Sequence, residues 1–150
     1  MGRTKKQMSQ ARRDAQAGFT LVEMLVVITI IGMIMALVGP RVLSYLSDSK
    51  VKTAHIQLES LSSALDLYYL DLGRYPSSGE GLNALSQKPG NAVGWNGPYL
   101  RGGTVPLDPW SHAYVYRAPG ERGAFDIMSY GADGQEGGSG VAADIKVGQR

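Results

Sequence analysis

A chain of 150 residues without cysteine has room for an anchor and one small domain, and it excludes disulfide staples, thiol ligands and thiol nucleophiles. The net charge of +2 is unevenly placed: Arg3, Lys5, Lys6, Arg12 and Arg13 stand against Asp14 alone within residues 1–18. From Phe19 onward ten of the fifteen basic and twelve of the thirteen acidic side chains remain, and that mildly acidic balance excludes the basic footprint of nucleic-acid binding.

Between Phe19 and Val38 every residue is apolar or small except Glu23 and two threonines. At about 1.5 Å per residue such a helix covers roughly 30 Å, the thickness of a bilayer's hydrocarbon core. A buried core helix seldom needs to be apolar on every face, so the run predicts a membrane span. Glu23 is its anomaly. A carboxylate costs about 2.5–3.5 kcal/mol at mid-bilayer and less nearer the interface, and it calls for a cation. The apolar run holds no Lys or Arg. A free α-amine would serve if the chain were cut just before Phe19.

The preceding stretch invites that cut. It is polar and basic and ends in Gly18 at the apolar boundary. A secretory signal places its small-residue site after the apolar region; here removal of residues 1–18 leaves the apolar helix as an anchor. The basic leader places the N-terminus in the cytoplasm and the chain after Pro40 on the far side. Gly18-Phe19-Thr20-Leu21-Val22-Glu23 resembles the cleavage and methylation motif of type IV pilin-like precursors. The resemblance implies a membrane peptidase that cuts after Gly18 and methylates Phe19. It also implies that Glu23 neutralises the N-terminus of a neighbouring subunit.

Pro40 lacks an amide hydrogen and clashes with the preceding turn, which predicts a kink. Beyond it Val51, Ala54, Leu58, Leu61, Leu65, Tyr68 and Leu72 recur every three or four residues, one stripe of an amphipathic helix. The pattern predicts one helix over about residues 20–72, ended by Gly73 and kept from resuming by Pro76. Residues 74–80 read as a loop, followed by a short helix over 80–87 capped by Ser78 and burying Leu82 and Leu85. Residues 88–105 are loop, anchored by Trp95, Tyr99 and Leu100, and residues 106–110 form another turn. Alternation over 113–116 and 125–130 predicts two strands joined as a hairpin through 119–123, with a further apolar patch at 145–147. His55 and His112 read as surface or turn residues, and Asp66, Asp71 and Asp126 as exposed acids without partners. Nothing resembles a nucleophile elbow; the reading is of a non-enzyme.

Residues 131–140 contain five glycines, which let a backbone fold tightly enough for carbonyls to converge. Calcium takes about six to eight oxygens and accepts carbonyls beside one or two carboxylates. Asp133, Ser139 and Asp144 offer side-chain oxygens, Tyr130 and Gln135 offer carbonyls, and Glu136 stands in reserve. The spacing is not that of an EF-hand, and a solvated loop is the alternative.

Several further motifs extend the resemblance over nearly the whole chain: Tyr75-Pro76, Gly81-Leu82-x-Ala84-Leu85, Gly97-Pro98-Tyr99-Leu100, Asp108-Pro109-Trp110, Tyr114-x-Tyr116 and Ser129-x-Gly131-Ala132-Asp133-Gly134. Together they resemble the major pseudopilins of type II secretion systems. Ser111 replaces a Gly expected after Asp-Pro-Trp, and Ala113 replaces a Pro. A carboxylate expected midway between Asp133 and Asp144 is absent, with Gly140 in that neighbourhood. The resemblance implies an α+β, pilin-like fold: a basic leader (1–18), a transmembrane and assembly helix (19–40) and a periplasmic domain (41–150), the last comprising a helix spine to 72 and a small antiparallel α/β head. It implies a calcium ion in the C-terminal loop. It further implies polymerisation with copies of itself into a periplasmic helical filament that drives folded proteins across the outer membrane. The implied partners are minor pseudopilins, an inner-membrane assembly platform with its ATPase, a prepilin peptidase and membrane lipid. A type IV pilus subunit or minor pseudopilin is the alternative within the superfamily. A membrane-anchored periplasmic binding module using Trp95, Trp110 and the tyrosines is the alternative outside it, and it leaves Glu23 and the leader unexplained.

Overall fold

The computed structural model describes residues 19–121 and 123–148; the leader, with Gly18, lies outside them. Helix α1 spans Leu21–Leu72. The strands are β1 (Val115–Arg117), β2 (Asp126–Ser129) and β3 (Ile145–Gly148), with short 3-10 turns at Leu82–Leu85 and Gly140–Ala142. The chain divides into two compact units, Met1–Pro40 and Arg41–Arg150.

In the first unit the described residues are exposed or, at Gly39, half-buried, and its apolar window, with a mean hydropathy of 2.7, contains no buried residue. By length and composition it can cross a membrane. Among the described residues nothing covers this apolar run of α1, so its surface must find lipid or other helices. Pro40 sits inside the helix without ending it.

In the second unit α1 buries Ala54, Leu58, Leu61, Ala64, Leu65 and Tyr68, the centre of the predicted stripe with Ala64 added, while its ends, Val51 and Leu72, are only partly buried. Gly73 closes the helix in the left-handed conformation, φ 68°, its amide bonding the Tyr69 carbonyl at 2.7 Å. Against the stripe lies a three-stranded antiparallel sheet in the order β1-β2-β3, with Val115 opposite Met128 and Ile127 opposite Val147. Both Ile127 and Met128 are buried, so the central strand is covered on both faces. Phe125, Ile127, Ile145, Leu82, Leu85 and Tyr114 complete the core.

Several expectations are corrected. The short helix expected over 80–87 shrinks to a 3-10 turn over Leu82–Leu85, because Gly81, at φ 61°, is outside the helical region and no helix can run through it. Ser78 does not cap it; its hydroxyl donates to the Ala118 carbonyl and accepts the Ala118 amide, each at 2.9 Å, tying the loop to the end of β1. The patch at 145–147 becomes β3. The acids read as partnerless accept hydrogen bonds: Asp71 from the Tyr99 hydroxyl at 2.7 Å, Asp66 from Tyr75 at 3.1 Å and Asp126 from the Glu121 amide at 2.8 Å. The tyrosines thereby hook the loops onto α1.

The loop after α1 is held by Glu80, which accepts two guanidinium N–H groups from Arg74 at 2.7 and 2.8 Å and the Ser77 amide at 2.7 Å. The Arg74 bond, then the Ser77 amide, hold the Glu80 carboxyl down at about 2, against an ordinary 4.5. A depressed carboxyl stabilises the fold above its unfolded value and loses that contribution as pH falls through its folded value. Thermal melting of the detergent-solubilised chain is therefore expected to fall between about pH 4.5 and 2, and Glu80→Gln is expected to flatten that acid limb. Because the pair is partly exposed, its worth is on the order of 1 kcal/mol.

Candidate functional site

The start of α1 is organised by two side chains. The Glu23 amide donates to Thr20 Oγ1 at 3.2 Å, and the Thr20 amide reaches Glu23 Oε2 at 3.4 Å. This is a reciprocal capping box, and it places the carboxylate where the helix dipole favours negative charge. Glu23 enters the sequence reading only as an acid in an apolar run; the Thr20-x-x-Glu23 spacing is the signal that marks it as a helix start as well. Among the described residues Glu23 makes no ion pair. Phe19, the residue that cleavage would expose, is 73% exposed.

The second site is the loop between β2 and β3. Its two ends fold back on each other: the Ala132 amide donates to the Val141 carbonyl at 3.1 Å, and the Gly137 amide to both oxygens of Asp144, each at 3.1 Å. Gly131, at φ 65°, is buried so closely that a Cβ there would meet the carbonyl oxygens of Ala143 and Val141 at 2.9 and 3.0 Å. At Gly138 it would fall on the Ala142 carbonyl oxygen. These two glycines are required because the 131–138 backbone lies directly on 141–143.

The sequence-predicted ligands Tyr130, Asp133, Gln135, Ser139 and Asp144 all lie on this loop, whose own contacts are largely to backbone. Asp133 accepts the Gln135 amide at 3.1 Å, and the Ser139 carbonyl accepts the Ala142 amide at 3.2 Å. Glu136 turns to β1 instead, 3.7 Å from the Arg117 guanidinium, which also donates to the Tyr130 hydroxyl at 3.4 Å. Among the described residues no three His, Asp or Glu side chains form a metal-holding group. An ion here would rest on carbonyls with one or two carboxylates. A donor set of oxygens alone, with no thiolate, fits calcium in kind.

Sequence reasoning passed over the residues behind this loop. The Asp108-Pro109-Trp110 turn is closed by the Ser111 amide donating to the Asp108 carbonyl at 2.9 Å, with Ser111 at φ 72°. A left-handed residue is required there, which explains why a Gly is the expected occupant. His112, read as a surface or turn residue, does end this turn with its side chain 40% exposed, and its ring also stands against Gly131 and Gly134. Trp95 donates its indole N–H to the Ala84 carbonyl at 2.9 Å and meets Tyr99 edge-on at 5.6 Å. Trp110 packs on the core. Both tryptophans are partly buried and pack against the core cluster.

Comparison with known proteins bears on the family and the fold. A family model described as type II secretion system (T2SS), protein G, matches residues 41–148, and one described as the prokaryotic N-terminal methylation motif matches residues 13–39. A type II secretion system core protein G from Pseudomonas aeruginosa is 47% identical over 138 residues, covering 89% of this chain and 96% of that protein. Its counterpart from Vibrio cholerae is 42% identical, covering 87% and 90%. The crystal structure of the major pseudopilin from the type 2 secretion system of enterohaemorrhagic Escherichia coli superposes with a TM-score of 0.59 at 31% identity, covering 69% of this chain and 90% of that one.

Proposed function

The chain belongs to the type II secretion system protein G family, the major pseudopilins, and from that premise we propose how its residues serve the part. The chain is made as a precursor that inserts once into the inner membrane, its basic leader in the cytoplasm and residues 41–150 in the periplasm. A prepilin peptidase cuts after Gly18 and methylates Phe19. The new amine of one subunit then pairs with Glu23 of another, fixing the register in which α1 helices pack as subunits leave the membrane. Pro40, at the boundary between the two units, lets the apolar part of α1 follow its helical neighbours. The resulting filament, assembled with minor pseudopilins on an ATPase-driven platform, pushes folded proteins toward the outer membrane. Energy comes from elsewhere, since the sequence carries no P-loop.

One observation carries this reading. An apolar helical run with no face covered by any described residue bears a single carboxylate, the fifth residue after the bond that would be cut. Lipid leaves that acid without a counter-charge; a neighbour's amine supplies one. Mass spectrometry of the chain purified from membranes of a secreting cell tests the premise. The expected N-terminus is a methylated Phe19. A mature protein that still begins at Met1 would remove the amine and the pairing with it.

We also infer that the loop after β2 holds a calcium ion through carbonyls of Tyr130 and Gln135 and side-chain oxygens of Asp133, Ser139 and Asp144. When bound, the ion supplies a cross-link in a chain that has no disulfide to offer. Support comes from the all-oxygen donor set and from the two glycines that admit the folded-back backbone.

A further inference from the structure

Behind the loop lies a buried polar chain that supplies none of the inferred ligands. The Asp108 side chain is fully buried. Its Oδ1 accepts the amides of Trp110 at 3.0 Å and His112 at 2.8 Å, and its Oδ2 accepts the Ser129 hydroxyl at 2.6 Å. Ser129 is itself inaccessible, at the end of β2. With its proton directed to Asp108, its lone pairs face outward along the chain, and one accepts the Gly131 amide at 3.2 Å. His112 approaches from the other side, Nδ1 standing 3.2 Å from the Gly131 carbonyl and 3.8 Å from Asp108 Oδ2. A carbonyl only accepts, so Nδ1 carries the proton in that contact. The imidazole rests on Gly134, where a Cβ would come within 3.0 Å of the ring.

Both backbone polar groups of Gly131 are thus held by residues that Asp108 fixes. The consequence for the loop follows from peptide planarity. The Gly131 N–H and the Tyr130 carbonyl belong to one rigid trans unit and point in opposite directions. Aiming the N–H at Ser129 therefore aims the Tyr130 carbonyl away from it. The Gly131 carbonyl, held by His112, sets the next peptide plane, which leads to Asp133. A carboxylate fully out of water is retained at considerable cost unless donors surround it. Of the donors it gathers, Ser129 and His112 lie on the path to the loop, and the Trp110 amide belongs to its own turn.

We propose that Asp108, acting through Ser129 and His112, is a positioning residue for the loop's cation: it presets the direction of the Tyr130 carbonyl and the course of residues 131–133 without touching the ion. This rests on the calcium reading above. The test is calorimetric titration of the full chain in detergent with calcium chloride alone, beside the melting temperature in chelator, for wild type, Asp108→Asn, Ser129→Ala and a distant core variant, Leu82→Ala. Asparagine keeps the volume but reverses the polarity toward Ser129. The expected result is a calcium Kd raised at least about tenfold in Asp108→Asn and Ser129→Ala, the usual effect of losing support behind a metal ligand. Leu82→Ala is expected to melt lower in chelator yet keep the wild-type Kd, which separates positioning from general loss of stability. Ser129→Ala carries the test if Asp108→Asn does not fold. A wild-type Kd in a folded Ser129→Ala or Asp108→Asn would overturn the positioning role while leaving the calcium reading intact. Absence of calcium binding in the wild type would overturn both.

Discussion

Glu23→Ala is expected to insert into the inner membrane at the wild-type level and to yield no filament and no secretion. The two halves of that result have different physical origins. Insertion depends on the apolar run, and deleting a carboxylate from it removes a term that opposes burial in lipid. Assembly is the reverse. Each added subunit brings one N-terminal amine into a low-dielectric helix bundle, and removing one partner of a buried pair costs about 3–5 kcal/mol. At about 1.4 kcal/mol per tenfold, that weakens every subunit addition by at least a hundredfold. The capping box offers a rival explanation, because Glu23 also holds the first turn of α1 through Thr20. Glu23→Gln separates the two: glutamine serves a capping box as well as glutamate does but carries no charge. Membrane fractionation and sheared-filament immunoblots check both variants. If Glu23→Gln assembled like wild type, capping rather than charge pairing would be the function of this residue.

How much of this was legible beforehand depended on the range of the interaction. The α1 stripe from Ala54 to Tyr68 was readable because its signal repeats along one element and the core simply covers it. The β1–β2 hairpin was readable because the alternation and the turn lie close together in the chain. Ser78 was misassigned for the opposite reason. Local spacing made it a cap, but its partner lies forty residues away on Ala118, and tertiary contact overrode local preference. Asp66 and Asp71 looked idle because a tyrosine hydroxyl folding back from beyond the helix, from Tyr75 just after α1 or from Tyr99 in a later loop, leaves no trace in helix spacing. The candidate loop divides along the same line. Its glycines and carboxylates could be read directly, while Glu136 was drawn off by Arg117 from another strand. Asp108 entered the sequence reading only within a turn motif, since its partners Ser129 and His112 meet it only in the folded chain.

Chelation is expected to lower the melting temperature of the detergent-solubilised chain by roughly 10 °C or more relative to excess calcium. A ligand that binds only the folded state stabilises it by about 2.7 kcal/mol at a hundred times its Kd. In a domain of about a hundred residues each kcal/mol moves the midpoint by roughly 4–8 °C. The loop is where such a gain would appear. Its backbone crosses itself at Gly131 and Gly138, and its exposed stretch from 135 to 141 holds few side chains that reach the core. Without an ion the folded-back conformation rests on a handful of backbone bonds and on Asp144, whose two oxygens share the Gly137 amide. Asp144→Asn is therefore expected to lose most of the calcium-dependent shift while keeping a hydrogen-bond acceptor for Gly137. Magnesium, which demands a tighter octahedral shell, is expected to reproduce little of it. Differential scanning calorimetry with calcium, magnesium and chelator in turn reads all three. Identical midpoints in calcium and chelator would remove the ion from this loop and leave the strand β3 return to be held by hydrogen bonds alone.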